Sequence, residues 1–465
     1  MATQTTKARP LTAPPWRDQP RLIRTIFRDP VPVLDEVAER YESMCALGAG
    51  PVRMAIIGDP AAMREMFALP NESFRWGHKF NVLKFVLGEG SMIASDGPDH
   101  KRRRGSVQAA FSRRRLNRWV PMIVERTDDA IDRLVASLDG GTRTLDLYPV
   151  GRDLVLEIAV RALFGERMAA RVDEIGSRFV GPQQYLESSF FRQLPHPIPY
   201  TARARVRADR RALDVIIDEQ IAIRRAEPSG DPFDVLEALA TDPTLTDSEI
   251  RDQVVTLIGA GFDTTAASLA WMLWCATTAP GLWERLRAEA DDVLGVPGAG
   301  KSVVPAESSL ARLDLANRVM RETTRLHPAG VLSPREAATD LTLAGRVIPK
   351  GTLVVWSAHL AGRDPGIWDD PLKFDPDRFS GLTDEQRAVA DQGWVPFGRG
   401  ARNCIGFALA QMELTLVVAR IAQRLDLEPT SQEIPRPVGM VVNRPTGGAP
   451  MRVTARPGHA SSSEA

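Results

Sequence analysis

Several shortages bound what this chain can be. It has three cysteines in 465 residues, Cys45, Cys275 and Cys404. They are odd in number and far apart, which argues against a disulfide framework and for a reducing cytosol. Net charge is zero, with 59 basic and 59 acidic residues, so nothing draws the whole molecule toward nucleic acid or membrane. Lysine is scarce, at seven of the 59 basic residues. The arginine and alanine richness reads as a bias of genomic composition. No run of about 18 apolar residues occurs, and the first 30 residues are polar and proline-rich, without signal-peptide organisation. A cytoplasmic chain without a membrane anchor is expected.

What is present is a hydrophobic share of 43%, enough for a large core. Residues 1–20 read as a loose leader, 21–456 as one domain and 457–465 as a disordered tail. Periodicity predicts helices over Arg21–Tyr41, Pro60–Leu69, Pro121–Leu138, Leu147–Phe164 and Leu310–Leu326. Residues 170–227 read as two helices broken at Leu194–Pro199. Short strands are expected at Val52–Ile57, Leu341–Leu343, Val347–Ile348 and Thr352–Trp356. Ser73–Ser95 is irregular, and a loop this long inside a compact domain is usually functional.

The longest helix opens at the capping box Thr246-Asp247-Ser248-Glu249 and runs to about Thr278, before Pro280. Its length is roughly 48 Å, and apolar residues almost all round predict burial. Its middle reads Gly259-Ala260-Gly261-Phe262-Asp263-Thr264-Thr265. Two glycines and adjacent polar residues are costly there and call for a reason. Close helix packing with Thr back-bonding is one reason. A ligand groove is the other.

A second stretch, Phe397-Gly398-Arg399-Gly400-Ala401-Arg402-Asn403-Cys404-Ile405-Gly406, is glycine-punctuated and runs straight into a helical pattern from Phe407. A cysteine beside a helix start is a candidate thiolate metal ligand, because unpaired N–H groups and the dipole favour the anion. Between residues 100 and 118 stand eight Lys or Arg and no acid. His100 and Arg104 there share a helical face. Glu322 and Arg325, spaced i, i+3, can also pair. Gly295–Ser302 matches a phosphate-loop pattern. Its context is wrong, since no strand precedes it and no helix follows, so a polar loop is expected.

Together these motifs resemble the cytochrome P450 family. Phe397, Gly400, Arg402, Cys404 and Gly406 fit its cysteine signature, and Ala260, Gly261, Asp263 and Thr264 fit its mid-helix motif. His100/Arg104, Glu322/Arg325, Arg335 and Arg378 stand in the family's order. The resemblance implies a mainly α fold with a small β-sheet region, a triangular helical prism holding haem between the central and cysteine helices. Cys404 would be the axial ligand of haem b, iron protoporphyrin IX. His100, Arg104 and Arg335 would bind its propionates, and Phe397 and Arg402 would flank it. Ala260 and Gly261 would leave room for dioxygen, with Asp263 and Thr264 catalytic. Met92, Ile93, Gly330, Val331, Leu332 and Met440 would line the substrate pocket. Glu322, Arg325 and Arg378 would form a structural network.

The implied activity is a monooxygenase that hydroxylates or epoxidises a hydrophobic small molecule such as a steroid, terpenoid or fatty acid. Electrons would come from a ferredoxin and its NAD(P)H-dependent reductase, docking on the basic face of a monomer. A peroxide-driven peroxygenase is an alternative, against which Asp263 and Thr264 argue. A haem-binding sensor or carrier is another, and would need a sixth protein ligand.

Overall fold

The computed structural model describes residues 9–76, 81–188, 190–193, 201–228, 235–295 and 307–456. Helix takes up 61% of the chain and the described strands form four small sheets, so the mainly helical class holds.

The central helix spans Asp247–Thr278, as its capping box predicts. The Thr246 hydroxyl accepts from Glu249 N, and the Glu249 carboxylate accepts from Thr246 N at 3.0 Å. This helix packs along Leu147–Ala169 and against the cysteine helix Phe407–Arg424. It is long and apolar enough to cross a membrane, but 78% of its most apolar stretch is buried within the protein. Burial of that kind identifies a core helix.

The helix is less apolar than its sequence suggests, because Asp252, Gln253 and Thr256 are also buried. They tie down the irregular segment ahead of His100. Asp252 accepts from Gly90 N at 2.6 Å, and Gln253 accepts from Met92 N at 3.2 Å. The Thr256 hydroxyl donates to Asp252 O and meets Ser91 Oγ at 2.8 Å. Two helix side chains thus satisfy the buried loop backbone and a third meets a loop side chain, which sets Met92 and Ile93 beside the central helix.

The largest sheet has five strands, in the order Met44–Leu47, Met54–Ile57, Leu353–Trp356, Ser333–Ala337, Phe74–Arg75. Leu341–Leu343 and Arg346–Ile348 pair as a hairpin, in a different sheet from Leu353–Trp356. Arg9 and Pro10 pair with Arg346 and Val347, so the loose leader expected to reach residue 20 is held from Arg9 onward.

Four helix readings differ from the structure. Arg21–Tyr41 is two helices, Gln19–Ile26 and Pro30–Arg40, because Pro30 holds Asp29 extended at φ −149°. Pro121 lies inside Arg113–Ser137, where burial of Leu116, Trp119, Val120 and Ile123 outweighs one lost backbone bond. The helix from Leu147 continues past Phe164 to Ala169, across a kink at Gly165 with φ 73°. Leu310–Leu326 is split at Leu313 into Glu307–Arg312 and Asp314–Leu326. The Leu194–Pro199 break, residues 296–302 of the phosphate-loop pattern and the 457–465 tail lie outside the described residues.

Candidate active site

A cavity of about 430 Å³ lies between the central helix and the loop before the cysteine helix. Cys404, Arg402 and Phe397 line it from the loop, and Ala260, Gly261 and Thr264 from the helix. The loop's shape depends on glycine at two positions. Gly398 and Gly400 have φ 65° and 71°, and a Cβ on Gly400 would lie 2.9 Å from Phe67 O. The returning chain is closed by Cys404 N donating to Phe397 O at 2.8 Å. Phe397 packs on Phe407 with ring centroids 4.8 Å apart.

Cys404 sits two residues before the N-cap, Gly406. Burial raises its thiol pKa, while the Gly406 N–H and the Arg104 charge lower it. Desolvation and the helix start thus act in opposite directions on this thiol, which is open to the cavity. A bound cation would reverse that balance, since coordination deprotonates a thiol.

One end of the cavity gathers cations. His100 and Arg104 line it from helix Gly97–Gln108, beside Arg402. Arg104 donates to Asn403 O at 3.0 Å and Asn403 Oδ1 at 2.8 Å. Arg402 donates to Ser95 O at 2.6 Å and stacks over Trp76 at 3.9 Å. Arg335, on strand Ser333–Ala337, lies behind Trp76 within 5.6 Å of the Phe67, Phe74 and Trp76 ring centroids. It does not line the cavity itself. Burial pushes His100 down to about 4, with Arg402 and Arg104 adding repulsion. Burial also pushes Arg402 and Arg335 down to about 10. Nε of both arginines and Nε1 of Trp356 lack partners among the described residues. A cluster of buried donors with only Asp96 nearby fits two carboxylates at this end and a thiolate-held metal beyond it. Haem is such a group.

Gly261 has open space where a Cβ would stand, whereas a Cβ on Gly259 would meet Phe179 at 3.1 Å. Close packing therefore explains Gly259 and not Gly261. The Thr264 hydroxyl donates to Ala260 O at 2.8 Å and Thr265 to Gly261 O at 2.8 Å. Both readings of this motif hold at once, back-bonding and an open groove.

A second cavity of about 180 Å³ adjoins the first, sharing Ile93, Ala260 and Thr264. Asp263 lines only this smaller chamber. Its carboxylate accepts from Tyr148 Oη at 3.2 Å, and burial with the Asp263 charge pushes Tyr148 up to about 12. Met92, Ile93, Gly330 and Leu332 line the larger cavity as expected, but Val331 does not. Val331 is buried in another cluster, with Leu22 and Leu360. Met440 lines neither cavity, and its N–H is held by Glu187 at 2.5 Å. Tyr148 and Trp76 escaped sequence reading because nothing in their local pattern marks them.

Glu322 and Arg325 form a bidentate pair at 2.7 and 2.8 Å with both side chains fully buried. Arg378 joins at 2.9 Å, and Arg325 also donates to Pro371 O and Lys373 O. The network lies away from both cavities and links helix Asp314–Leu326 to the loop that precedes the cysteine stretch.

The cytochrome P450 family model matches residues 22–449. Cyclooctat-9-en-7-ol 5-monooxygenase of Streptomyces melanosporofaciens is 32% identical over 82% of this chain and 81% of its own length. Pentalenene oxygenase of Streptomyces avermitilis is 31% identical over 88% of this chain and 89% of its own. The retinoic acid-bound cyanobacterial CYP120A1 superposes with a TM-score of 0.82 at 22% identity, covering 97% of this chain and all of that one. Site geometry, family match and relatives agree: the chain belongs to the cytochrome P450 family and is a P450 monooxygenase.

Proposed function

We propose that the protein is a haem b monooxygenase of the bacterial, cytoplasmic type, a single domain over 21–456 acting on a cyclic terpenoid-like molecule. The observation that carries this is one cavity with Cys404 on one wall, Gly261 and Thr264 on the other and buried cations at one end. When bound, haem supplies reductive activation of dioxygen, one atom of which passes to the substrate while the other leaves as water. Cys404 would hold it through Sγ, and His100, Arg104 and Arg402, which line the cavity, would hold its carboxylates.

Thr264 lines both cavities, and its hydroxyl, which donates to Ala260 O, would pass a proton at their junction. Asp263 would relay protons, its carboxylate restrained by Tyr148 until it turns. Apolar walls exclude water and bind the substrate by burial. The names of two relatives, an oxygenase of pentalenene and a monooxygenase of cyclooctat-9-en-7-ol, favour the terpenoid choice over a steroid or fatty acid.

The electron donor is proposed to be an acidic ferredoxin. Helix Gly97–Gln108 abuts the cysteine loop through Arg104, and Lys101, Arg113 and Arg114 beside it are exposed. The patch is smaller than the basic run suggests, because Arg102 and Arg103 are engaged by Glu249.

The deciding experiment is a carbon monoxide difference spectrum of the reduced holoprotein. A thiolate-type Soret band is expected, and Cys404→Ser should abolish it. No such band in the unmutated protein would overturn the assignment of Cys404. Turnover with NADH and redox partners, and not with peroxide, separates the monooxygenase from a peroxygenase.

A further inference from the structure

Helix Val82–Leu87 puts Leu83, Val86 and Leu87 into the wall of the smaller cavity. It has six residues, and so short a helix does not stand by its own hydrogen bonds. Charge from two other helices holds its end. The Arg210 guanidinium, on helix Ala202–Ala226, uses each of its three nitrogens on a different acceptor. Nη1 donates to Leu87 O at 2.9 Å, a carbonyl that the end of the short helix leaves without a helical partner. Nη2 donates to Asp252 of the central helix. Nε donates to Asp214 at 2.8 Å, one turn along its own helix.

Asp252 in turn accepts from Gly90 N. Two glycines allow that approach. Gly88 has φ 101°, and a Cβ there would run into the Asp252 carboxylate. A Cβ on Gly90 would lie 2.8 Å from Asp252 Oδ2. The Arg210 and Asp252 side chains are 16% and 6% exposed, so solvent ions screen the pair little. One guanidinium thus joins three elements: its own helix, the central helix and the segment that carries the cavity wall.

We propose that Arg210 is a positioning residue that sets the size of substrate the smaller cavity accepts. By fixing Leu87 O beside Asp252 it holds Leu83, Val86 and Leu87 in place relative to Ala260 and Thr264, which also line the cavity. A cavity of about 150 Å³ takes up benzene, so one of about 180 Å³ has room for one ring of a fused skeleton. A wall held in place excludes further rings that a wall free to shift would admit. The proposal rests on the monooxygenase reading and adds a size limit to it.

The test is spectral titration of the holoprotein with decalin and with androstane, following the low-to-high-spin shift, together with hydrogen exchange at residues 82–92. Burial of apolar area alone would favour the larger hydrocarbon. The unmutated protein should instead bind decalin about tenfold more tightly than androstane. Arg210→Lys keeps a charge for Asp252, but a compact ammonium does not span the three acceptors. It should tighten androstane until the two ligands differ by less than about threefold, and speed exchange at 82–92 by about tenfold. Arg210→Met combined with Asp252→Asn removes both charges, leaves an acceptor for Gly90 N and should act alike. Arg225 ties the same helix to Asp247 and Ala240 O instead, so Arg225→Lys should leave the affinity ratio unchanged.

An unmutated protein that prefers androstane overturns the proposal, as does a decalin preference that survives Arg210→Lys. Unchanged exchange at 82–92 in that variant overturns it too, and so does a preference that Arg225→Lys also abolishes. The carbon monoxide spectrum is recorded on the same samples. A missing thiolate band in the unmutated protein indicts the haem assignment, whereas a normal band with the wrong affinity ratio indicts Arg210 alone.

Discussion

The Tyr148 hydroxyl donates to the Asp263 carboxylate at 3.2 Å, on the chamber side of the central helix and away from the Cys404 cavity. Arg444 stands close enough to feel the same charge. The proposed proton relay requires this carboxylate to leave Tyr148. Asp263→Asn is expected to slow turnover by roughly 10²-fold, the scale of a lost general acid–base group. Tyr148→Phe should change it by less than about threefold, because Arg444 still restrains the carboxylate. Steady-state rates with reconstituted redox partners check both, with the carbon monoxide spectrum unchanged in each.

Thr264 is the one hydroxyl shared by the two cavities from the glycine-rich turn of the helix. Thr264→Ala should leave oxygen consumption running while product falls, and Thr264→Ser should restore most of the coupling. The ratio of product formed to oxygen consumed is the measurement. An unchanged ratio in Thr264→Ala removes the residue from proton delivery.

The Glu322–Arg325–Arg378 network is proposed to act on stability. Breaking one partner of a fully buried pair costs about 3–5 kcal/mol, so Arg325→Ala should sharply lower the denaturant midpoint. Arg312 and Asp292 also pair at 2.8 Å, but at 55% and 77% exposure. Arg312→Ala should cost at most about 1 kcal/mol. Urea unfolding curves of the two variants make the comparison.

His359 bonds Asp35 at 2.6 Å and is almost fully buried. Burial and the nearby Arg363 push its pKa down to about 4, more than Asp35 raises it. The unfolded chain, with an ordinary value near 6.5, takes up the proton first. The stability that neutral His359 represents is thus fully present above about pH 6.5 and is lost as pH falls toward 4. Buried His327, stacked on Trp271 at 3.9 Å, acts in the same direction. His359→Gln should flatten the decline of Tm between those two pH values.

Charge reversal at Arg113 and Arg114 should slow electron transfer from an acidic ferredoxin about tenfold at low salt, with the gap closing as ionic strength rises. Stopped-flow reduction of the holoprotein reads this directly. An effect independent of salt would place the docking face elsewhere.

Local chemistry was legible in the chain. The capping box and the glycines of the Cys404 loop declare themselves because each satisfies a backbone requirement within a few residues. The helix breaks at Asp29-Pro30 and Leu313 were missed because apolar periodicity continued through them. Val331 is expected in the pocket by position alone, whereas packing with Leu22 and Leu360 holds it elsewhere.

The sequence by itself determined the helical class, the cysteine signature and the order of the motifs, since each rests on neighbours in the chain. Only the tertiary structure decided that Asp263 faces Tyr148, that Arg335 lies behind Trp76 and that Arg210 joins Leu87 to Asp252. Those pairings join residues from separate helices and sheets. Side-chain hydrogen bonds act over about 3 Å, and which groups come that close is settled by packing of the elements that carry them.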